Sequence, residues 1–212
     1  MATNLILVLV VLTNLKLLAS SRLGASIRVV AAQGVVLGLL PVLAHMHELS
    51  LHFAAMAVGT VALKGVVFPW LLFRALREAE VTREVEPYVG YISSILIGLM
   101  ALAASFWLGG RLPVTTAGVS SLLVPSALFS ILAGLFLIVA RKRAVNQVLG
   151  FLVLENGIYT FGVGVVAETP FLVELGVLLD AFVAVFVMGI AVYHINREFD
   201  HIEVNRLDRL KG

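Results

Sequence analysis

The chain of 212 residues contains no cysteine. That excludes disulfides, thiolate metal ligation and haem attachment through CxxCH, and it leaves the redox compartment open. Charge is also scarce: 13% of residues are Asp, Glu, Lys or Arg, and the net charge is +2. No phosphate-cradling glycine loop, nucleophile elbow or metalloprotease motif occurs. The polar stretches are too short to fold into a catalytic domain, so no catalytic site is expected in this chain. The opening segment MATNLILVLVVLTNLKLLAS lacks a leading positive stretch. Lys16 and Arg22 follow the apolar residues, so the segment reads as a retained first helix and not a cleaved signal.

What is present is apolar. Hydrophobic residues make up 60% of the chain and the mean hydropathy is +1.05. A soluble domain is nearer roughly 45–50% apolar, so the composition points to an all-α, polytopic membrane protein. Seven apolar runs are long enough to cross a bilayer: Ala2–Ala19, Ile27–Met46, Leu49–Phe73, Tyr88–Leu108, Thr116–Ala140, Ala144–Ala167 and Pro170–Tyr193. Short connections make consecutive helices antiparallel neighbours.

The basic residues set an orientation. Lys16, Arg22 and Arg28 flank the first loop. Arg74, Arg77 and Arg83 lie in the third, and Arg141, Lys142 and Arg143 in the fifth. Arg197, Arg206, Arg209 and Lys211 lie in the tail. Thirteen of the fifteen Lys and Arg thus fall on one side; Arg111 is on the other and Lys64 is within a run. The positive-inside rule then places the amino terminus outside and the carboxyl terminus in the cytoplasm, and only an odd number of spans keeps the charges separated. The loop RALREAEVTREVEP (74–87) and the tail Asn196–Gly212 read either as solvated, charged segments or as docking surfaces for a partner or for lipid.

Against this background a few ionisable residues stand deep inside apolar runs. Glu155 has about a dozen residues of its run on either side, about 17 Å from the cytoplasmic helix end at 1.5 Å per residue. Lys64 and Asp180 lie at comparable depths. Each charge there costs roughly 2.5–3.5 kcal/mol on insertion scales, so three uncompensated ones would cost roughly 8–10 kcal/mol. Such residues point to a proton or ion path, or, for Lys64, to a structural ion pair with Glu155 or Asp180; one lysine can do both. Two unit charges about 6 Å apart at an effective dielectric near 20 interact by nearly 3 kcal/mol, enough to couple their protonation. Asn156 beside Glu155 offers an amide to a neighbouring helix. Pro69 withdraws a backbone donor from the helix carrying Lys64, which loosens it near Gly65. Glu174 lies six residues before Asp180, about 120° away around a helix, and reads as an outer-side carboxylate of the ion path or as a helix-start residue.

Other polar residues carry less. His45, His47 and His52 crowd the second loop, but HxH alone is too loose for a metal site, and they read as surface groups titrating near neutrality. His194 and His201 flank the cytoplasmic end. Trp70 and Trp107 lie toward run ends, as interfacial anchors do. No metal- or cofactor-binding residues are identified.

The segments RKRAVNQVLGFLVLENGIYTFGVG and PFLVELGVLLDAFVAVFVMGIAVYHINR resemble the three-helix K subunit of respiratory complex I. With four further helices in front, the chain resembles component E of hydrogenase-4 and related formate hydrogenlyase membrane subunits. The resemblance divides the chain into residues 1–140, in which helices 1–4 form an extension and helix 5 opens the K-like unit; residues 141–195, the two helices carrying buried acids; and the tail 196–212. Asp180 matches the acidic position of the last helix. Aligning Gly150 and Asn156 puts the other glutamate position at Leu152, so Glu155 stands three residues later on nearly the same face. For Lys64 the resemblance supplies no counterpart.

The resemblance implies a non-catalytic membrane-arm subunit of an oxidoreductase complex in a prokaryotic inner membrane. Nickel–iron and iron–sulfur centres would lie in a soluble hydrogenase module, and antiporter-like subunits and lipid would be neighbours; nucleic acid would not be a partner. Two rival readings remain: an independent secondary transporter, although the halves show no clear repeat, and a passive scaffold whose charges merely pair.

Overall fold

The computed structural model describes residues 2–38, 58–59, 61–78, 87–112 and 120–165. Among these there is no β-strand element, and all the regular elements are helical. In order come α1 (Ala2–Ala19), α2 (Leu23–Gly38), a π-helical turn (Leu63–Val67) that runs directly into α3 (Phe68–Glu78), then α4 (Tyr91–Gly109), α5 (Leu123–Ala140) and α6 (Ala144–Val165). The seventh run, Pro170–Tyr193, and the tail lie outside the described residues.

The helices and the apolar runs agree in place but not always in length. α1 and α6 start with their runs, whereas α2 begins at Leu23 instead of Ile27 and α3 continues past Phe73 to Glu78. A run of apolar residues measures what lipid or core can cover; the hydrogen-bonded helix extends beyond it into charged residues. α5 begins at Leu123 and not Thr116, after a turn in which the Ser120 hydroxyl accepts from the Leu122 N–H at 3.2 Å. Among the described residues, α4 and α5 are long and apolar enough by themselves to cross a membrane; α1 and α2 are shorter apolar helices.

α5 and α6 form the closest pair, with α1 and α4 against α5 and with α2 and α3 against α6. Small residues allow this approach. A Cβ added at Gly150 would lie 2.9 Å from the Gly134 carbonyl oxygen, and one at Gly157 would lie 2.7 Å from the Ile131 nitrogen. Gly150 and Gly157 are seven residues apart, as are the facing Ala127 and Gly134, so one narrow stripe on each helix lets the backbones meet. Phe129, Leu137, Leu149 and Val153 fill the surrounding core together with Leu18, Ile27, Phe68 and Leu72 from the other helices.

α4 has its pattern turned inside out relative to a soluble helix. Its buried residues are Ser94, Gly98 and Ser105, and the Ser94 and Ser105 hydroxyls donate to their own helix, at Gly90 O and Ala101 O. Its large apolar side chains face outward: Ile92 is 79% and Met100 64% exposed. Burying small residues and presenting large apolar ones is what a helix does when its surroundings are lipid or another apolar chain.

The helix ends sort by charge. Arg141, which the sequence places among the basic loop residues, is 1% exposed. Its guanidinium donates to the Leu18 carbonyl at 2.6 Å and lies 4.6 Å from the Tyr91 ring centroid. A cation satisfies one of the orphan carbonyls at the end of α1 and favours the negative helix end, which is why it folds inward. Tyr88 N–H donates to Ala140 O at 3.0 Å, and the Lys142 ammonium sits over the Tyr88 ring. The end of α1 and the starts of α4 and α6 thus meet the end of α5, with the basic residues around them. At the opposite end Gly109 packs on Pro125, and Arg111 lies 4.1 Å from the centroid of Trp107.

Candidate functional site: a buried lysine–glutamate pair

The sequence expects a loosened helix at Lys64, and the structure shows its form. Phe68 N–H reaches back five residues to Leu63 O, the wide π turn, immediately before Pro69. Proline has no N–H and its ring clashes with the carbonyl four residues back; adding one residue to the turn re-registers the backbone so that α3 can start at Phe68. The same widening turns Lys64 inward toward α2 and α6. Its stem lies against Gly34 of α2, where an added Cβ would come within 2.7 Å of the lysine Cβ. Gly65 packs in the same way against Val35.

Lys64 is 7% exposed and Glu155 2% exposed, and Lys64 Nζ lies 2.7 Å from Glu155 Oε1. Nζ also donates to Asn156 Oδ1 at 3.2 Å and lies 5.8 Å from the Tyr159 ring centroid. Glu155 and Asn156 are neighbours in one turn of α6, and Tyr159 lies about one turn further on. Thr160 donates its hydroxyl to Asn156 O at 2.7 Å, which stiffens that stretch. The ammonium therefore spans three groups of α6 from a separate helix. Glu155 Oε2 is buried and has no hydrogen-bond donor among the described residues, although Oε1 is held in the ion pair. The pair solves the problem of depth: either charge alone is costly, and the two together neutralise each other.

Beside the pair is a cavity of about 10 Å³ bordered by Lys64, Asn156, Pro69 and Leu152. That is close to the smallest volume that holds one water. Leu152, which stands where the family resemblance expects a glutamate, thus faces the same interior as Glu155, one turn away. Asn156 and Pro69, expected to support the site, both border it. Glu174 and Asp180 lie outside the described residues, as do His45, His47, His52, His194 and His201.

Sequence reasoning passed over a second buried cluster. Gln33 of α2 donates to Asn14 Oδ1 at 2.8 Å and to Thr13 Oγ1 at 2.6 Å, both on α1. Asn14 in turn donates to Ser130 Oγ of α5 at 2.8 Å. The signal was available: Asn14 and Gln33 are amides in the interior of apolar helices, the kind of residue that joins helices in a membrane.

Residues 122–212 match the family NADH-ubiquinone/plastoquinone oxidoreductase chain 4L. An uncharacterized protein of Mycobacterium tuberculosis is 34% identical over 190 residues, covering 89% of this chain and 86% of its own. The chain belongs to the complex I and hydrogenase membrane-subunit family. Hydrogenase-4 component E of Escherichia coli K12 is 33% identical over 120 residues, 56% of this chain and 55% of that protein; component E of Shigella flexneri gives the same values. No solved structure matches. The family is one of membrane subunits of complex I-like complexes, which accounts for the outward apolar face of α4 and makes multi-subunit membrane-arm partners the setting of this chain.

Proposed function

We propose that this chain is a non-catalytic, seven-span membrane-arm subunit of a complex I-like hydrogenase or related oxidoreductase, and that it carries a section of a proton or ion path. The amino terminus is outside, the carboxyl terminus is in the cytoplasm, and the membrane is a prokaryotic inner membrane. Nickel–iron and iron–sulfur centres belong to a soluble partner module, and antiporter-like subunits are its membrane neighbours. Redox chemistry in the soluble module changes the charge or geometry felt by Lys64, Glu155 and Asp180, and protons move between the carboxylates through transient water. Glu174 serves the outer side of the same path.

The observation that carries this reading is the Lys64–Glu155 contact of 2.7 Å, closed, buried and built across a π turn. Glu155 Oε2, buried without a protein donor among the described residues, is where a proton or water is received. The gathering of basic residues at one end of the bundle supports the orientation. A hydrophobic span could be built without these charges, and a buried ion pair is weak evidence for stability alone.

The test is proton translocation by the assembled complex carrying Glu155→Gln together with Asp180→Asn. Translocation is expected to fall steeply while the subunits still co-purify. Wild-type translocation in that assembled variant defeats the proposal, and loss of assembly with normal coupling in the residual complex favours a scaffold. Purification from native membranes separates the transporter reading, which requires the chain to come alone or as a homo-oligomer.

A further inference from the structure

A second hollow among the described residues lies away from the ion pair. α1 and α2 diverge to leave a groove of about 390 Å³, within the span of roughly 300–1,000 Å³ usual for small-ligand sites. Its walls are mostly apolar, with Ile6 and Leu9 on α1 and Val29 and Val36 on α2, and Thr13 and Gln33 of the amide cluster also border it. Two cations, Lys16 and Arg28, border the groove, each within about a turn and a half of the α1–α2 connection. From Lys16 to Ile6 the groove runs about 15 Å at 1.5 Å per residue, most of the depth of one leaflet. The first Asp or Glu in the sequence is Glu48, so neither helix supplies a carboxylate to these cations. Arg28 is steadied from the side by the Phe73 ring, 6.0 Å from its guanidinium carbon. Its guanidinium borders the groove and carries donors suited to an oxyanion.

We propose that the α1–α2 groove binds one anionic phospholipid, its phosphate held by Lys16 and Arg28 and one acyl chain lying between the helices toward Ile6. The charge and the apolar length match that occupant together. A zwitterionic lipid leaves one cation uncompensated, and a soluble phosphate leaves the apolar wall uncovered. Basic pockets between helices at the cytoplasmic side are suited to such head groups. The site is independent of the ion-path reading, because it touches neither Lys64 nor Glu155.

The experiment uses the complete complex in nanodiscs of phosphatidylglycerol and phosphatidylcholine, followed by mild extraction and native mass spectrometry of retained lipid. One phosphatidylglycerol per chain is expected, favoured over phosphatidylcholine by roughly tenfold or more. Lys16→Gln with Arg28→Gln should abolish that preference. Ala32→Trp, which fills the groove and leaves both cations, should displace the lipid, and Arg111→Gln at the opposite end should change nothing. Retention unchanged by both the charge and the filling variants overturns the proposal. So does efficient cross-linking from Ala32→Cys, the sole thiol on this chain, to another subunit, because it would place a protein helix in the groove.

Discussion

Two buried polar clusters lie side by side in this bundle, and adjacent residues of α2 serve them. Gln33 belongs to the amide and hydroxyl cluster with Thr13, Asn14 and Ser130, whereas Gly34 gives room to the Lys64–Glu155 pair. Both clusters join three helices or close to it, but they differ in what a proton can do there. The first is neutral; its members exchange hydrogen bonds and hold α1, α2 and α5 in register. The second is ionic, lies at a π turn and borders a cavity near the size of a water. A fold that needed only cohesion would use the neutral kind twice, since a buried charge pair returns little net stability.

The largest expected effect separates the two clusters. Lys64→Met alone strands the Glu155 carboxylate, and breaking a buried pair costs about 3–5 kcal/mol. The yield of assembled complex and its thermal midpoint should fall sharply, and adding Glu155→Gln should recover most of the loss. A smaller effect is expected where the helix backbones meet. Gly150→Val forces side-chain carbon against Gly134 and Ile138 and should destabilise by about 1–3 kcal/mol, read as a lowered midpoint without a change in translocation per assembled complex.

The neutral cluster should be more forgiving. Asn14→Leu removes the link between Gln33 and Ser130, and hydrogen bonds between membrane helices average about 0.6 kcal/mol and reach about 1.7. A modest drop in midpoint with full translocation is the expected result; lost translocation would mean that the two clusters work as one. The smallest effect belongs to the surface: Arg111→Gln parts an exposed cation from Trp107 and should leave both assembly and translocation within experimental error.

Much of this was legible from the residues. Apolar runs placed α1 and α6 at Ala2 and Ala144, because a span-length, mainly apolar stretch has few alternatives to helix. Lys64 and Glu155 stood out because their depth demanded compensation, and pairing was one of the readings the sequence left open. The π turn was visible only as Pro69; proline says that a backbone bond must change, not how the next turn absorbs it. Burial of Arg141 escaped a reading based on loop charge, since its partner, the Leu18 carbonyl, is more than a hundred residues away in the chain. The Gly150–Gly157 stripe of α6 has a sequence signature, but that it faces Ala127 and Gly134 of α5 is decided by three-dimensional packing.

The central claim is that the buried pair moves charge and does not merely hold helices together. The most direct measurement is proton translocation, per assembled complex in sealed vesicles, by the Lys64→Met, Glu155→Gln double variant. The account predicts a complex that assembles and remains stable yet translocates little. Translocation at the wild-type rate in that variant would contradict it.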